Sequence, residues 1–220
     1  MAEIRSNIAE IIVAGTCQYY CRGVASTLET GGFTRVTSIL LEDAVVPANH
    51  GQHNSLLQPI IALPPGLNII IMLGRNIPPK SLFALARGIL AQQPNTRIIL
   101  HTDFANAEVA KIDAAHLGIS ACLVGQISDD ELLRAVQAVA DGHMGYTPAI
   151  MRKAQQVVEL SQVHRQVVRG WAEGKTDREI AAELTLTPKT VRNYASIILE
   201  KLQVHDRRVA VMHAKHLGWI

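Results

Sequence analysis

The pattern of apolar and polar positions divides the chain into two parts. As far as residue 141, short apolar runs alternate with amphipathic stretches, which is typical of strands alternating with helices. The predicted strands are Glu10–Ala14, Val36–Leu41, Asn68–Leu73, Arg97–Thr102 and Ile119–Val124. The predicted helices are Tyr19–Glu29, Ser55–Leu63, Pro79–Gln92, Ala105–Leu117 and Asp129–Asp141. Five such units predict a doubly wound α/β domain over residues 1–142, built on a five-stranded parallel sheet.

A helical period takes over in residues 160–220. Thr176, followed three residues later by Glu179, is a capping box that marks the start of a short helix. After a brief turn, Pro188 follows Thr187 and suits the first position of a second helix. A short helix, a turn and a second helix form the helix-turn-helix arrangement, in which the second helix enters the major groove of DNA.

The second of these helices, Pro188–Leu202, has two distinct faces. Its apolar face consists of Val191, Tyr194, Ala195, Ile198 and Leu202. Its polar face consists of Lys189, Arg192, Asn193, Ser196 and Glu200. A merely solvated helix back would have the same composition, but the capping box and the turn upstream favour a surface for DNA. Two flanking helices, from Ser161 to about Glu173 and from Asp206 to Gly218, complete an all-α domain of four helices; residues 143–159 are expected to form a partly helical linker.

The distribution of charge favours the same interpretation. Residues 151–220 contain 12 lysines and arginines against 7 acidic residues, a net charge of +5. Residues 1–150 contain 9 against 12, a net charge of −3. A basic domain attached to an acidic one is typical of a nucleic-acid-binding protein, although an imbalance of this size does not establish DNA binding by itself.

Several segments of the C-terminal domain resemble the DNA-binding domain of LuxR-type regulators. They are Leu160-Ser161, residues 172–175, residues 179–181, Leu184, Thr187, residues 189–193 and residues 199–202. The resemblance implies that base edges are contacted by Arg192, Asn193 and Ser196. It implies that phosphates are held by Lys175, Thr176, Thr187, Lys189 and Thr190.

Two positions depart from the family pattern. His164 stands where the family usually has Glu, so the capping box that begins at Ser161 is broken. Gln203 stands where the family usually has Gly, so the end of the second helix is expected to differ locally. Neither position belongs to the expected DNA-binding face. The resemblance further suggests that the outer residues of the last helix pair across a two-fold axis; the candidates are Val209, Met212, Lys215 and His216.

The α/β part resembles a response-regulator receiver of the NarL/FixJ subclass in architecture and spacing. Such a receiver accepts a phosphoryl group on an Asp after the third strand. It holds Mg²⁺ with an acidic pair after the first strand and uses a Lys after the fifth. The matching positions are Leu73, then Gly15 with Thr16, then Gly125, and Thr102 is retained. The resemblance therefore implies a degenerate receiver without a phosphoacceptor, and Asp103 or Asp43 on the same rim would lack the metal pair that an acceptor needs.

The positions that replace the phosphorylation chemistry would line a small, neutral and largely apolar pocket. They are Gly15, Thr16, Leu73, Gly74, Thr102 and Gly125. Doubly wound folds bind ligands at this edge of the sheet, so a ligand site is one interpretation. A filled remnant of the phosphorylation site is the other, and we favour it.

Other candidate groups give weaker indications. Cys17, Cys21 and Cys122 would converge at the strand ends, but burial explains free cysteines better than a redox or metal site. His50 and His53 have metal-like spacing without a third ligand nearby. The pair His213 and His216 lies near a helix C-terminus, where the helix dipole favours such residues. The sequence thus predicts neither a metal site nor a cofactor.

Together these patterns predict a transcriptional regulator that binds double-stranded DNA as a homodimer, without control by Asp phosphorylation and without enzymatic activity. The alternative is a protein-interaction module, whose receiver-like domain recruits or heterodimerises with another regulator or binds a small ligand. Phosphotransfer is disfavoured by Leu73 and Gly125. No segment has the roughly eighteen apolar residues of a membrane helix, the N-terminus lacks a signal-peptide core, and the odd cysteine count suits the cytoplasm.

Overall fold

The computed structural model describes residues 8–41, 67–73, 77–103 and 106–220. The predicted helix Ser55–Leu63 lies outside these ranges, as do Asp43, Gly74 and the spaced pair His50 and His53. Within the described ranges, no helix combines the length and apolar character needed to span a bilayer.

The N-terminal part is built on a parallel sheet whose strands lie close to their predicted positions. They are β1 (Ile8–Gly15), β2 (Val36–Leu40), β3 (Leu67–Leu73), β4 (Arg97–Thr102) and β5 (Ala121–Val124). The five strands pair in the order β2-β1-β3-β4-β5, all parallel. The connections reverse direction between β1 and β3, and doubly wound folds form a crevice at such a switch point, beyond the carboxyl ends of the strands.

Helices cover both faces of the sheet. They are α1 (Gln18–Thr30), α2 (Pro79–Gln92), α3 (Ala107–His116) and α4 (Asp129–Ala140). Alternate strand residues point to opposite faces, so Ile11 packs in the core with α1 and α4, whereas Ile12 packs in the core with α2 and α3. Both cores need apolar side chains, which explains why the central strands are apolar throughout instead of alternating.

The predicted linker is largely a helix that belongs with the receiver-like domain. This helix, α5 (Pro148–Gln156), begins at Thr147, whose hydroxyl accepts a hydrogen bond from the backbone N–H of Ile150. Ala154 is buried against Ile112 and Ala115 of α3. Helix α5 therefore packs against α3 of the receiver-like domain.

The C-terminal part contains the four predicted helices. They are α6 (Gln162–Ala172), α7 (Asp177–Glu183), α8 (Pro188–Lys201) and α9 (Arg207–His216). Their shared core is small and mainly apolar, and its most buried members are Val167, Val168, Ile180, Ala181, Val191, Ile198, Ala210 and Ala214. The two parts of the chain are in contact, because α9 packs against α2 and α3 of the receiver-like domain.

Candidate nucleic-acid interface

Helix α8 presents the polar face that the sequence predicted. Its first turn is fixed by Thr187, whose side chain accepts from the backbone N–H of Thr190, and by Pro188 in the first helical position. Val191 and Ile198 are fully buried in the domain core, which fixes the rotation of the helix about its own axis. The opposite side is exposed and carries Lys189, Arg192, Asn193 and Ser196.

One exposed apolar side chain on this helix was absent from the prediction. Ile197 lies one turn after Asn193 and is 39% exposed. Single exposed apolar side chains are common on protein surfaces, but this one lies on the face expected to meet DNA, and the thymine methyl group is an apolar target in the major groove. A helical wheel places Ile197 beside Asn193. This position is the sequence feature that could have identified Ile197 as part of the polar face.

The turn between α7 and α8 has a specific backbone conformation. Thr185 adopts a left-handed backbone conformation with φ of 55°, which is uncommon for a residue with a branched Cβ. The backbone N–H of Leu186 donates to the carbonyl of Ala181 at 2.8 Å, which closes the end of α7. The direction in which α8 leaves the turn is therefore set by the backbone.

Gln203 adopts the geometry of the Gly usual in the family, so the expected local difference at the end of α8 does not occur. Its φ is 54°, and the backbone N–H of Val204 donates to the carbonyl of Leu199 at 2.9 Å, as in a glycine-terminated helix. A left-handed non-glycine residue costs roughly 1–2 kcal/mol. The Gln203 side chain donates to Oε1 of Gln156 in α5 at 3.0 Å, a contact that glycine could not make.

The predicted phosphate-contacting residues differ in how available they are. The hydroxyls of Thr176 and Thr187 cap α7 and α8, and Thr190 shares a hydrogen bond of 2.9 Å with Thr187. Lys175 lies 2.6 Å from both Glu173 and Glu183, and hydrogen bonds to these carboxylates raise its pKa. Among these candidates, Lys189 is the exposed cation on the polar face of α8.

His164 packs into the domain core at the position where the family usually has Glu. Its backbone N–H donates to the Ser161 hydroxyl at 3.4 Å, so half of the capping box is kept. Its ring makes an edge contact with Tyr194 of α8, with centroids 5.2 Å apart. Burial, and then the charge of Lys201, lower the pKa of His164.

Replacing His164 by Gln should flatten the acid dependence of stability of the C-terminal domain. The lowered pKa means that the folded state holds His164 neutral, whereas the unfolded chain takes up a proton near the usual value of about 6.5. His164 thus disfavours the folded state increasingly as the pH falls below that value. Urea midpoints at about pH 7.5 and about pH 5 should differ less in His164→Gln than in the wild type. Equal differences in the two proteins would contradict this assignment.

At the carboxyl edge of the sheet, the register brings Leu73 beside both Gly15 and His101. The Nε2 atom of His101 donates to the carbonyl of Gly125 at 2.9 Å, so its Nδ1 atom accepts from the Tyr20 hydroxyl at 2.8 Å. These three residues join β4, β5 and α1 where a receiver would hold its phosphorylation site.

The cavity at this edge differs from the apolar pocket that was predicted. It has a volume of about 290 Å³ and is lined by Tyr20, His101, Thr102, Asp103, Gly125, Gln126 and Ile127. The prediction missed the polar side chains, because Tyr20 comes from α1 and His101 precedes the strand end. The Thr102 hydroxyl is buried and makes no hydrogen bond to the described residues.

The cysteines do not form a common site. Cys21 and Cys122 are buried as expected, and burial raises the pKa of the Cys122 thiol to about 12, which keeps it protonated and unreactive. The burial expected for Cys17 is wrong, because this residue precedes the first turn of α1 and is exposed. In the described parts of the chain, no group of three or more His, Cys, Asp or Glu residues is arranged to hold a metal ion.

The sequence analysis missed the role of the two histidines of α9. His213 and His216 are buried and both contact the carboxylate of Asp113 in α3, so the helix dipole is not the main reason for their position. His216 was expected to lie on an outer face available for pairing with a second copy. This expectation is wrong, because His216 is buried against the receiver-like domain. No local pattern signals this contact, because Asp113 is a hundred residues away from His213.

A receiver-like α/β domain followed by a helix-turn-helix domain with an exposed polar second helix defines a DNA-binding transcriptional regulator of the response-regulator type. Residues 158–214 match the family described as bacterial regulatory proteins, luxR family. The chain is 35% identical over 124 residues to the transcriptional regulatory protein DesR of Bacillus subtilis, covering 56% of this chain and 62% of DesR.

Two further comparisons, like the one with DesR, extend beyond the C-terminal domain. The transcriptional regulatory protein UhpA of Salmonella typhimurium is 35% identical over 133 residues, which cover 60% of this chain and 67% of UhpA. RcsB from Salmonella enterica serovar Typhimurium, in a structure bound to promoter P1flhDC, is 19% identical and superposes with a TM-score of 0.68, covering 96% of this chain and 99% of RcsB. The second likeness shows the fold. The chain belongs to the luxR family of bacterial regulatory proteins.

Proposed function

We propose that this protein is a sequence-specific, dimeric transcriptional regulator that acts on double-stranded DNA in the cytoplasm and is controlled without phosphorylation of an Asp. Arg192, Asn193 and Ser196 contact base edges. Phosphates are held by Lys175, Thr176, Thr187, Lys189 and Thr190. The domain organisation is a receiver-like unit, a connecting segment and the helix-turn-helix domain from residue 160 onwards.

The observation that carries this proposal is the exposure of the polar face of α8. Arg192 and Asn193 are adjacent and exposed, whereas the opposite face of the same helix is fixed in the core through Val191 and Ile198. Arg pairs with guanine and Asn with adenine through two hydrogen bonds each, so adjacent positions suit adjacent bases. The contact of α9 with the receiver-like domain leaves this face open.

The dimeric part of the proposal rests on the symmetry of helix-turn-helix recognition. Two copies related by a two-fold axis contact half-sites about one helical turn apart, and one domain of this size makes few base contacts alone. The RcsB dimers described in a related DNA complex have the same fold at 19% identity, which makes this arrangement a reasonable one to test.

Genome-wide mapping of bound DNA tests the proposal directly. Discrete sites that share a two-fold-symmetric sequence, and that disappear in Arg192→Ala, are the expected result. Occupancy that survives Arg192→Ala and follows the location of another regulator would favour the protein-interaction alternative instead. The mapped sites would also supply the sequence needed for binding measurements in vitro.

Control without phosphorylation is supported by the residues that end the strands. Leu73 ends β3, Gly15 ends β1 and Gly125 follows β5, so none of these positions supplies an acceptor carboxylate, a metal ligand or a lysine. Mg²⁺ prefers several oxygen ligands, and Gly15, Leu73 and Gly125 carry no carboxylate. His101 and Tyr20 occupy part of this edge through their hydrogen bond.

Incubation with a small phosphodonor and Mg²⁺ should therefore leave the mass and the oligomeric state of the protein unchanged. Intact-mass spectrometry and sedimentation, before and after incubation, measure the two quantities. An acid-labile increase by one phosphoryl group, abolished by Asp103→Asn or by Asp43→Asn, would contradict the proposed mode of control.

A further inference from the structure

The contact between the two domains is centred on a single buried carboxylate. Asp113 of α3 is 0% exposed, although it lies on the surface of the receiver-like domain that faces α9. Its Oδ1 atom accepts a hydrogen bond from Nδ1 of His213, and its Oδ2 atom accepts one from Nδ1 of His216 at 2.6 Å. Both histidines belong to the helix-turn-helix domain and are themselves buried.

The chemistry of these groups makes the contact sensitive to each partner. An ionised carboxylate only accepts hydrogen bonds, so both histidines donate from Nδ1. Burying a carboxylate is unfavourable unless each oxygen has a donor nearby, and here both donors come from the other domain. Loss of either histidine leaves one oxygen buried without its donor, and separating the domains returns the carboxylate to water. The balance between docked and separated domains therefore depends on this cluster.

Helix α2 contributes a second set of contacts to the same end of α9. The ring of Phe83 stacks on that of His216, with centroids 4.5 Å apart and planes 22° apart. Nη1 of Arg87 donates to the carbonyl of His216 at 2.6 Å, so a cation lies at the C-terminal end of α9, where the helix dipole favours positive charge. His216 is thus held by its ring nitrogen, its ring face and its backbone at once.

The docked arrangement covers one helix and leaves another open. It buries His213 and His216 of α9, whereas Arg192 and Asn193 of α8 remain exposed. The contact accordingly fixes the direction in which the DNA-binding face points relative to the receiver-like domain, without blocking that face. Any change within α3 that moves Asp113 would alter its hydrogen bonds to His213 and His216 of α9.

We propose that Asp113, His213 and His216 form an interdomain latch that determines whether the helix-turn-helix domain is docked on the receiver-like domain or released from it. The latch acts through a buried carboxylate that needs two donors from the opposite domain. It concerns the docking of the domains alone, so it holds or fails independently of the DNA contacts proposed above.

Histidine labelling with diethyl pyrocarbonate, followed site by site by mass spectrometry, tests the latch in the full chain without DNA. In the wild type, the exposed residues His143 and His205 should react quickly and His213 slowly. Asp113→Asn keeps the side-chain shape but removes the charge, and His216→Phe keeps the ring stacked on Phe83 but removes the donor. Each should raise the labelling rate of His213 roughly tenfold or more, as loss of a hydrogen bond to a charged group predicts for the docking equilibrium.

Two controls separate opening of the latch from other effects. His101 and His164 are each buried within one domain and should stay protected, which shows that both domains remain folded. Asp130→Asn makes the same substitution at an exposed site of α4 and should change nothing.

The double variant Asp113→Asn/His216→Phe gives the sharpest comparison. A neutral amide is less unfavourable to bury than a carboxylate with one donor missing, and its oxygen still accepts from His213. Labelling of His213 should therefore fall back below the rate in His216→Phe alone. The proposal is overturned if His213 stays slow in both single variants, if it reacts only together with His101 and His164, or if the double variant labels faster than either single one.

Discussion

Arg192→Ala is expected to weaken binding to the specific DNA sequence by on the order of 1–3 kcal/mol per half-site, and to relax the base preference at one position. The guanidinium can make two parallel hydrogen bonds to guanine in the major groove, and alanine can make none. Because Arg192 is exposed and Val191 holds the helix in place, the loss should not disturb the fold. In a symmetric dimer the effect counts twice.

Lys189→Ala is the matched comparison, because it removes a cation from the same face one turn earlier. A lysine near the phosphate backbone attracts any sequence, so its loss should weaken specific and non-specific binding alike. It should also reduce the slope of log affinity against log salt by about one counterion per half-site. Arg192→Ala should therefore reduce the preference for the specific sequence, whereas Lys189→Ala should reduce affinity for all sequences.

Binding of both variants to matched and scrambled duplexes, at two salt concentrations, measures these differences. Equal loss of affinity for both duplexes in Arg192→Ala would show that Arg192 does not contact base edges. If neither variant weakens binding, α8 is not the recognition helix and its polar face is simply solvated. Circular dichroism of each variant excludes unfolding as the cause.

The helix-turn-helix domain could be predicted from the sequence because its determinants are local. Thr176 and Glu179 are three residues apart and form the reciprocal capping box, with Oε2 of Glu179 accepting from the Thr176 backbone N–H at 2.7 Å. The apolar period of α8 lies within one helix, and Val191 and Ile198 are buried as it indicated. Capping residues and apolar periodicity within one helix can be recognised from the sequence alone.

The domain contact and the strand-edge cavity could not be predicted in the same way. Asp113 lies among apolar residues of α3 and has no local partner, and its donors are contributed by the other domain. Tyr20 and His101 meet across β4 and α1, more than eighty residues apart in sequence. These groups are functional candidates only once the fold has brought them together, since neither periodicity nor spacing links them.

Ile180→Ala should destabilise the helix-turn-helix domain by about 2–5 kcal/mol. Ile180 is 1% exposed and lies on α7, where it packs against α6 at Gly170. Removing three carbons from this contact leaves a cavity that the short helix cannot close without shifting. Because Trp171 and Trp219 are the two tryptophans and both lie in this domain, their fluorescence during urea unfolding reports on it alone.

A substitution at Gly170 tests whether the close approach of α6 and α7 explains the loss of stability expected in Ile180→Ala. A Cβ at Gly170 would lie 2.6 Å from Cγ1 of Ile180, too close without a shift of the backbone or the side chain. Gly170→Ala should gain about 1 kcal/mol of helix propensity and lose about 1–3 kcal/mol to overpacking, so a net loss is expected. Gly23→Ala, where a Cβ would meet nothing within 4 Å, should instead stabilise α1 by about 0.5–1 kcal/mol.

The double variant Gly170→Ala/Ile180→Ala tests whether the two single effects arise from the same packing contact. The new methyl group enters the space that Ile180 vacates, so the overpacking disappears and part of the cavity is filled. Its loss of unfolding free energy should be smaller than the sum of the two single losses by about 0.5–3 kcal/mol. Additive losses would mean that the two positions do not share one packing contact, and the orientation of α7 before the recognition helix would then need another explanation.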